Sequence, residues 1–184
     1  MNVAVCDYDA GNVRSVAIAL ARQGASARVT NDPAEVLAAD LAVLPGVGSA
    51  GTAMASLAAS GIDRALCERF DAGRPILGIC LGLHLALEES EEDGGVPGLG
   101  LFAGRALRLR DGRVPRIGWA RVQPPGEAFY FAHSYAAETP AATAHSEGIV
   151  AEARAGSFVG VQFHPEKSQA YGLALLARFL EWNP

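Results

Sequence analysis

Four short apolar runs divide the first half of the chain, and helical patterns separate them. Val3–Cys6, Ala25–Val29, Leu41–Leu44 and Pro75–Ile79 read as strands. Val13, Val16, Ile18 and Leu20 recur at helical spacing after the first, and Gly24 closes that helix as a C-cap. Asp32-Pro33 opens a second helix, with the carboxylate as cap and proline at the first position. Helical segments over Thr52–Ala59 and Asp63–Ala72 follow the third strand, and Leu83–Glu89 follows the fourth. Such alternation predicts an α/β fold built on an open, mostly parallel sheet flanked by helices. The texture changes after Ser90. Glu91–Gly95 reads as a solvated acidic loop, and strand-like runs then cover Ala106–Leu109, Ile117–Val122, Ala128–Ala132, Ile149–Ala153 and Phe158–Phe163. The C-terminal half is therefore expected to carry antiparallel hairpins. Gly172–Trp182 forms a last amphipathic helix, with Leu173, Leu176, Phe179 and Leu180 near one face. No linker or repeat interrupts the pattern, so a single domain over 1–184 is expected.

Composition narrows the function classes. The net charge is −5 and the 15 lysines and arginines are dispersed, so no basic stripe points to nucleic acid. No run approaches the ~18 apolar residues of a membrane span, and the N-terminus lacks the basic start of a signal peptide. The three cysteines, Cys6, Cys67 and Cys80, have neither disulfide-framework nor zinc-site spacing. A reducing cytoplasm suits them. No metal or cofactor motif is read.

Gly78-Ile79-Cys80-Leu81-Gly82 joins the fourth strand to its helix. The layout is that of a nucleophile elbow with sulfur in place of oxygen, and the start of a helix favours an anion there. From this segment alone, Cys80 is either a nucleophile or a small buried residue at a strand–helix join. Gly160-Val161-Gln162-Phe163-His164-Pro165-Glu166 brings a histidine to the end of an apparent strand, with a carboxylate two residues on. A cysteine nucleophile needs such a base, and the base an orienting acceptor. Pro45-Gly46-Val47-Gly48 follows the third strand. Its backbone N–H groups suit an oxyanion, jointly with the Leu81 amide, or alternatively a phosphate.

These segments together resemble the class I, or triad, glutamine amidotransferases. The finer pattern is similar to the glutaminase subunits of histidine biosynthesis. Asp7-Tyr8-Asp9-Ala10-Gly11-Asn12, Pro45–Ser49, Glu88–Glu92, Val114–Trp119, Tyr130–Tyr135 and Gly160–Ser168 carry that resemblance nearly end to end. It implies the flavodoxin-like amidotransferase fold, Cys80 as nucleophile, His164 as proton shuttle and Glu166 as orienting carboxylate. It further implies an oxyanion hole at Val47, Gly48 and Leu81, and glutamine contacts at Gly46, His84, Glu92, Ser134 and Tyr135. The implied partner is a (β/α)₈ cyclase subunit in a heterodimer, fed with ammonia through a channel, with Arg116, Trp119 and Lys167 at the interface. Trp119 alone would read equally well as a core aromatic on a strand. Three positions depart from the family: His84 stands where glutamine is usual, Arg116 where histidine is usual, and Ala120 where asparagine is usual. His84 is either a tolerated replacement or a cation that tunes the thiolate. His133, Cys6 and Cys67 read as structural.

Overall fold

The computed structural model describes residues 1–9 and 11–184, so Ala10 of the Asp7–Asn12 motif lies outside the described residues. The first half runs β1 (Asn2–Cys6), α1 (Val13–Ala21), β2 (Ser26–Thr30), α2 (Pro33–Ala38), β3 (Leu41–Leu44), α3 (Ala50–Ser60), α4 (Ile62–Asp71), β4 (Ile76–Ile79) and α5 (Leu81–Ala86). Next come β5 (Glu89–Ser90), a 3-10 turn (Glu92–Gly94), β6 (Val96–Pro97), β7 (Arg105–Arg108), β8 (Arg116–Arg121), β9 (Ala128–His133) and β10 (Tyr135–Glu138). The chain closes with β11 (Ala142–Ser146), β12 (Ile149–Ala155), β13 (Phe158–Val161), a 3-10 turn (Pro165–Lys167) and α6 (Gln169–Leu180).

The main sheet has the order β11-β12-β13-β4-β3-β1-β2. Its five strands from β13 to β2 are parallel, and β12 and β11 extend one edge antiparallel. A smaller sheet, β10-β7-β5-β6, and the β8–β9 hairpin complete the strands described. Strand alternation assigns neighbours to opposite faces. Val3, Val5, Leu41, Val43, Leu77 and Ile79 meet Val16 and Leu20 of α1 and Leu176 and Phe179 of α6. Ala4, Cys6, Ala42, Leu44 and Ile76 meet Leu57, Leu66 and Leu83 of the helices on the other side. The result is a layer of helices on each face of a buried sheet, as the alternation predicts.

Some local expectations change. Ile18 is 56% exposed, because Val16, Ala19 and Leu20 set the buried side of α1. α5 stops at Ala86: Leu87 is extended, and Glu89–Ser90 instead pairs with β6 and β7. The strands β10 and β11 were not expected; they are short and rich in alanine and polar residues, which carry little strand signal. Gly172 lies inside α6 rather than at its start. No helix among the described residues is long and apolar enough to cross a membrane.

One buried charge holds the helix layer to the sheet. Arg69 of α4 is fully buried and donates to the carbonyls of Val36, Leu37, Ala39, Asp40 and Pro75. It thereby satisfies the carbonyls that α2 leaves unpaired at its end and those leading into β3 and β4. Burial lowers its pKa to about 10, still protonated at neutral pH.

Candidate active site

β4 is buried along its length and delivers Cys80 to the carboxyl end of the sheet. Cys80 has φ 53° and ψ −105°, a conformation that a side chain adopts only at a cost of about 1–3 kcal/mol. Two anchors hold it there: its N–H donates to the Val161 carbonyl at 2.7 Å, and α5 starts at the next residue. The flanking glycines are required by contact. A Cβ on Gly82 would run into the Leu44 carbonyl of β3, and one on Gly78 into the Phe158 ring and the Gly82 backbone. The elbow is thus wedged between β3 and β13, and any side chain at either glycine would push it out of place.

β13 lies beside β4 in parallel register, with Val161 opposite Ile79. Their carboxyl ends therefore bring His164 next to Cys80. The His164 backbone N–H donates to the Tyr130 carbonyl at 2.8 Å. Ser168, fully buried, donates its hydroxyl to the His164 carbonyl at 2.6 Å and accepts from the Tyr130 N–H at 3.0 Å. Pro165 turns the chain, and the Glu166 carboxylate folds back so that Oε1 accepts from His164 Nδ1 at 2.9 Å. Both side chains are buried, at 1% and 0% exposure. Asn12 donates its side-chain N–H to the same Glu166 oxygen. His164 Nε2 and Glu166 Oε2 are buried without a hydrogen-bond partner. Burial alone would lower the His164 pKa, but its interactions with Cys80 and Glu166 outweigh that and push it up to about 9. That upward shift favours the protonated ring, with Nδ1 committed to the carboxylate and Nε2 left for chemistry.

The glycine-rich loop lies over the elbow. The Tyr8 hydroxyl donates to the Pro45 carbonyl, and a Cβ at Gly46 would come within 3.1 Å of Leu81 Cβ. A Cβ at Gly11 would come within 2.9 Å of Val47. Gly48 has φ +123°, and Ser49 then caps α3. The acidic run expected to be solvated docks here instead. Glu92 accepts from the Ala50 N–H at 2.8 Å and Asp93 from the Gly51 N–H at 3.0 Å, so both carboxylates meet the positive end of α3. Burial raises the Glu92 pKa. Ser134 and Tyr135 sit at the junction of β9 and β10, where the Tyr135 carbonyl receives His133 Nδ1 at 2.8 Å. Burial pulls the His133 pKa down to about 4 against the bond to the Tyr135 carbonyl, with Arg116 among the charges that lower it further.

His84 is buried at 4% exposure, and its Nε2 lies 2.7 Å from Gln162 Oε1. Burial lowers its pKa, so a cationic His84 tuning the thiolate is disfavoured. Gln162 Nε2 in turn points at Cys80 Sγ from 3.7 Å. Of the expected interface residues, Trp119 is 49% exposed on the β8–β9 hairpin, stacked edge-on to Tyr130, so its reading as a core aromatic does not hold. Lys167 is exposed beside Glu166. Arg116 bonds Ser146 and Glu147 and lies over the Phe131 ring, turned mostly to its own molecule. Asn12, Tyr8, Gln162 and Ser168 were named only within motifs by sequence reasoning. The partners of Asn12, Tyr8 and Gln162 are too distant along the chain for spacing to assign them roles, and Ser168, although it bonds the His164 carbonyl four residues back, reaches Tyr130 38 residues away.

A strained thiol, an imidazole oriented by a buried carboxylate and an amide-rich loop together suit attack on a carbonyl or carboxamide carbon. The family model for "Glutamine amidotransferase class-I" matches residues 4–182. The imidazole glycerol phosphate synthase subunit HisH of Symbiobacterium thermophilum is 44% identical, over 96% of this chain and 92% of that protein. HisH of Methylococcus capsulatus is 42% identical, over 100% of this chain and 97% of its own. A crystal structure of a glutamine amidotransferase superposes with a TM-score of 0.80 at 21% identity, covering 97% of each chain. The PurLQS structure from Thermotoga maritima gives 0.73 at 17% identity, covering 98% of this chain and 99% of that one; both likenesses speak to the fold alone. The chain belongs to the class-I glutamine amidotransferase family, in the group formed by the HisH subunits of imidazole glycerol phosphate synthase.

Proposed function

We propose that Cys80, His164 and Glu166 hydrolyse glutamine, with this chain as the glutaminase subunit of an imidazole glycerol phosphate synthase. The observation that carries the proposal is the strained Cys80 beside an imidazole whose Nδ1 is held by a buried carboxylate, with its pKa shifted upward. The Cys80 thiolate attacks the side-chain amide carbon of glutamine, and the carbonyl oxygen becomes an oxyanion. The Leu81 N–H, the first of α5 and without an intrahelical acceptor, faces that charge together with the Val47–Gly48 amides. His164 Nε2 gives its proton to the departing nitrogen, so the C–N bond breaks and ammonia leaves a thioester. The neutral imidazole then takes a proton from water, which attacks the thioester. Glutamate is released and the thiolate and imidazolium return. By the same reading Gly46, Glu92, Ser134 and Tyr135 receive the substrate's amino-acid end, and Glu92, which accepts from the Ala50 N–H, offers its carboxylate to the ammonium group.

The ammonia passes to a (β/α)₈ cyclase subunit in a heterodimer, docked on Trp119, Lys167 and the neighbouring Arg116 segment. The Trp119–Tyr130 pair supports that placement, since the Tyr130 carbonyl holds the His164 backbone. One domain spans 1–184, and the reducing cytoplasm, where its three free thiols persist, is its compartment. The test is glutamate release from glutamine by this chain alone, and with the cyclase and its ribonucleotide substrate. A large rise with the liganded partner is the expected result. Cys80→Ala should abolish glutamine hydrolysis while ammonia-driven synthesis by the assembled complex persists. No release in either state from a proven complex would leave a silent binding subunit.

A further inference from the structure

Gln162 is fully buried, and a buried carboxamide is destabilising unless its polar atoms are paired. Its Oε1 lies 2.7 Å from His84 Nε2 and its Nε2 lies 3.7 Å from Cys80 Sγ. On another side of the sulfur is the Ala132 carbonyl, at 3.9 Å. That carbonyl can accept from a thiol S–H but repels a thiolate. A fixed N–H donor is needed to offset it when the sulfur is charged. A carboxamide can supply either its donor or its acceptor, so something must hold its orientation. The imidazole N–H of His84 does so by occupying Oε1. Burial keeps that ring neutral, with its proton on Nε2 and no positive charge brought into the core. His84 stands one helical turn beyond the nucleophile, its backbone N–H reaching the Cys80 carbonyl at 3.4 Å.

We propose that His84 and Gln162 form a two-residue relay that positions and stabilises the Cys80 thiolate: His84 Nε2–H fixes the Gln162 carboxamide, and the Gln162 N–H donates to Sγ. Gln162 touches the reacting sulfur, and His84 is a positioning residue that acts through Gln162 rather than by touching glutamine. The inference rests on Cys80 being the nucleophile, but its readout needs no turnover.

The experiment measures the rate at which iodoacetamide alkylates Cys80 in the full chain, from acid to alkaline pH. Peptide mass spectrometry separates Cys80 from Cys6 and Cys67. Gln162→Leu should slow alkylation at neutral pH about tenfold and move the profile to higher pH, the scale of one lost hydrogen bond to a charged group. The near-isosteric Gln162→Glu sets a carboxylate against the sulfur and should slow it further. His84→Leu should match Gln162→Leu, and the double variant should lose no more than either alone, because both act on one path. His84→Gln, which keeps a donor, should stay within about twofold of the parent on the same scale. Should Gln162→Leu fail to fold, as thermal unfolding would reveal, Gln162→Glu and His84→Leu carry the comparison. A Cys80 profile unmoved in the folded variants overturns the relay. Persistent glutamine hydrolysis in Cys80→Ala would instead overturn the nucleophile assignment beneath it.

Discussion

At the scale of single residues, the site is a chain of hydrogen bonds that ends on one carboxylate oxygen. Glu166 Oε1 receives both His164 and Asn12, while Oε2 has no partner. Asn12 therefore shares in setting the carboxylate plane, and through it the direction of His164 Nε2. Asn12→Ala should lower kcat for glutamine about tenfold with little change in KM, because the loss falls on the proton transfers and not on substrate contact. Steady-state glutaminase kinetics of the partnered enzyme would check this, and an unchanged kcat would refute it. That Cys80, His164 and Glu166 come together at the carboxyl end of the sheet was legible because each sits in a local pattern of glycine, proline and apolar strand. Asn12 lies 154 residues from its partner, so no local pattern assigns it a role. Gln162 was hidden for a different reason. It stands inside a recognised motif, but its function depends on a helix residue on another strand's elbow, and only the three-dimensional pairing of β13 with β4 brings the two together.

At the scale of elements, the strands of the parallel sheet and the Asp32 cap were readable; the α1 C-cap, which falls at Arg22 rather than Gly24, and buried charge were not. Asp32 caps α2 as its position before proline implies, accepting from the Ala34 N–H at 2.8 Å. Glu92 and Asp93 cap α3 from a loop that their charge alone marks as solvated. A charged residue carries no sign of whether water or a helix end will satisfy it. Arg69 is the sharper instance, a cation in a helix whose ordinary place would be the surface. Its guanidinium ties five carbonyls from α2, the entry to β3 and the entry to β4. Arg69→Met should cost about 2–4 kcal/mol, since the Val36 and Asp40 carbonyls lose their donor, while Leu37 and Ala39 keep Arg74 and Pro75 keeps the Ala42 N–H. Arg69→Lys should recover only part, because an ammonium has three donors and no planar fork. Denaturant unfolding of both variants would measure it. A Met variant as stable as the parent would mean that these carbonyls find water or other donors at no cost.

At the scale of the whole molecule, three buried histidines make stability depend on pH in opposite directions. In the unfolded chain each titrates near 6.5. His133 is held down to about 4 and His84 is also lowered, by burial in both cases. As pH falls from about 6.5 towards 4, the unfolded chain takes up protons that the folded chain refuses, so stability is lost across that window. His164 is raised to about 9 by Cys80 and Glu166 against the pull of burial. Its contribution is complete below about 6.5, declines as pH rises through 9 and is then gone. Glu92, raised by burial, opposes the acid limb, but it is only partly buried and its effect is correspondingly weaker. The melting temperature should therefore peak near pH 6.5 and fall on both sides. His133→Asn can keep a side-chain N–H for the Tyr135 carbonyl while removing the titrating ring, so it should flatten the limb between about pH 4.5 and 6.5 and leave the alkaline limb as it was. Glu166→Gln removes the charge that helps hold His164 protonated and should flatten the alkaline limb instead. Melting curves across that range, for the parent and both variants, separate the two effects. An acid limb equally steep in His133→Asn would shift the acid sensitivity from His133 to the other buried groups. Between about pH 6.5 and 8.5 the alkaline limb marks where His164 gives up its proton; above that, Cys6, pushed up to about 12 by burial, and Cys67, also raised by burial, add to the loss. If that proton is the one delivered to the departing ammonia, as in the proposed mechanism, glutamine turnover in the complex should begin to fall over the range in which His164 gives it up.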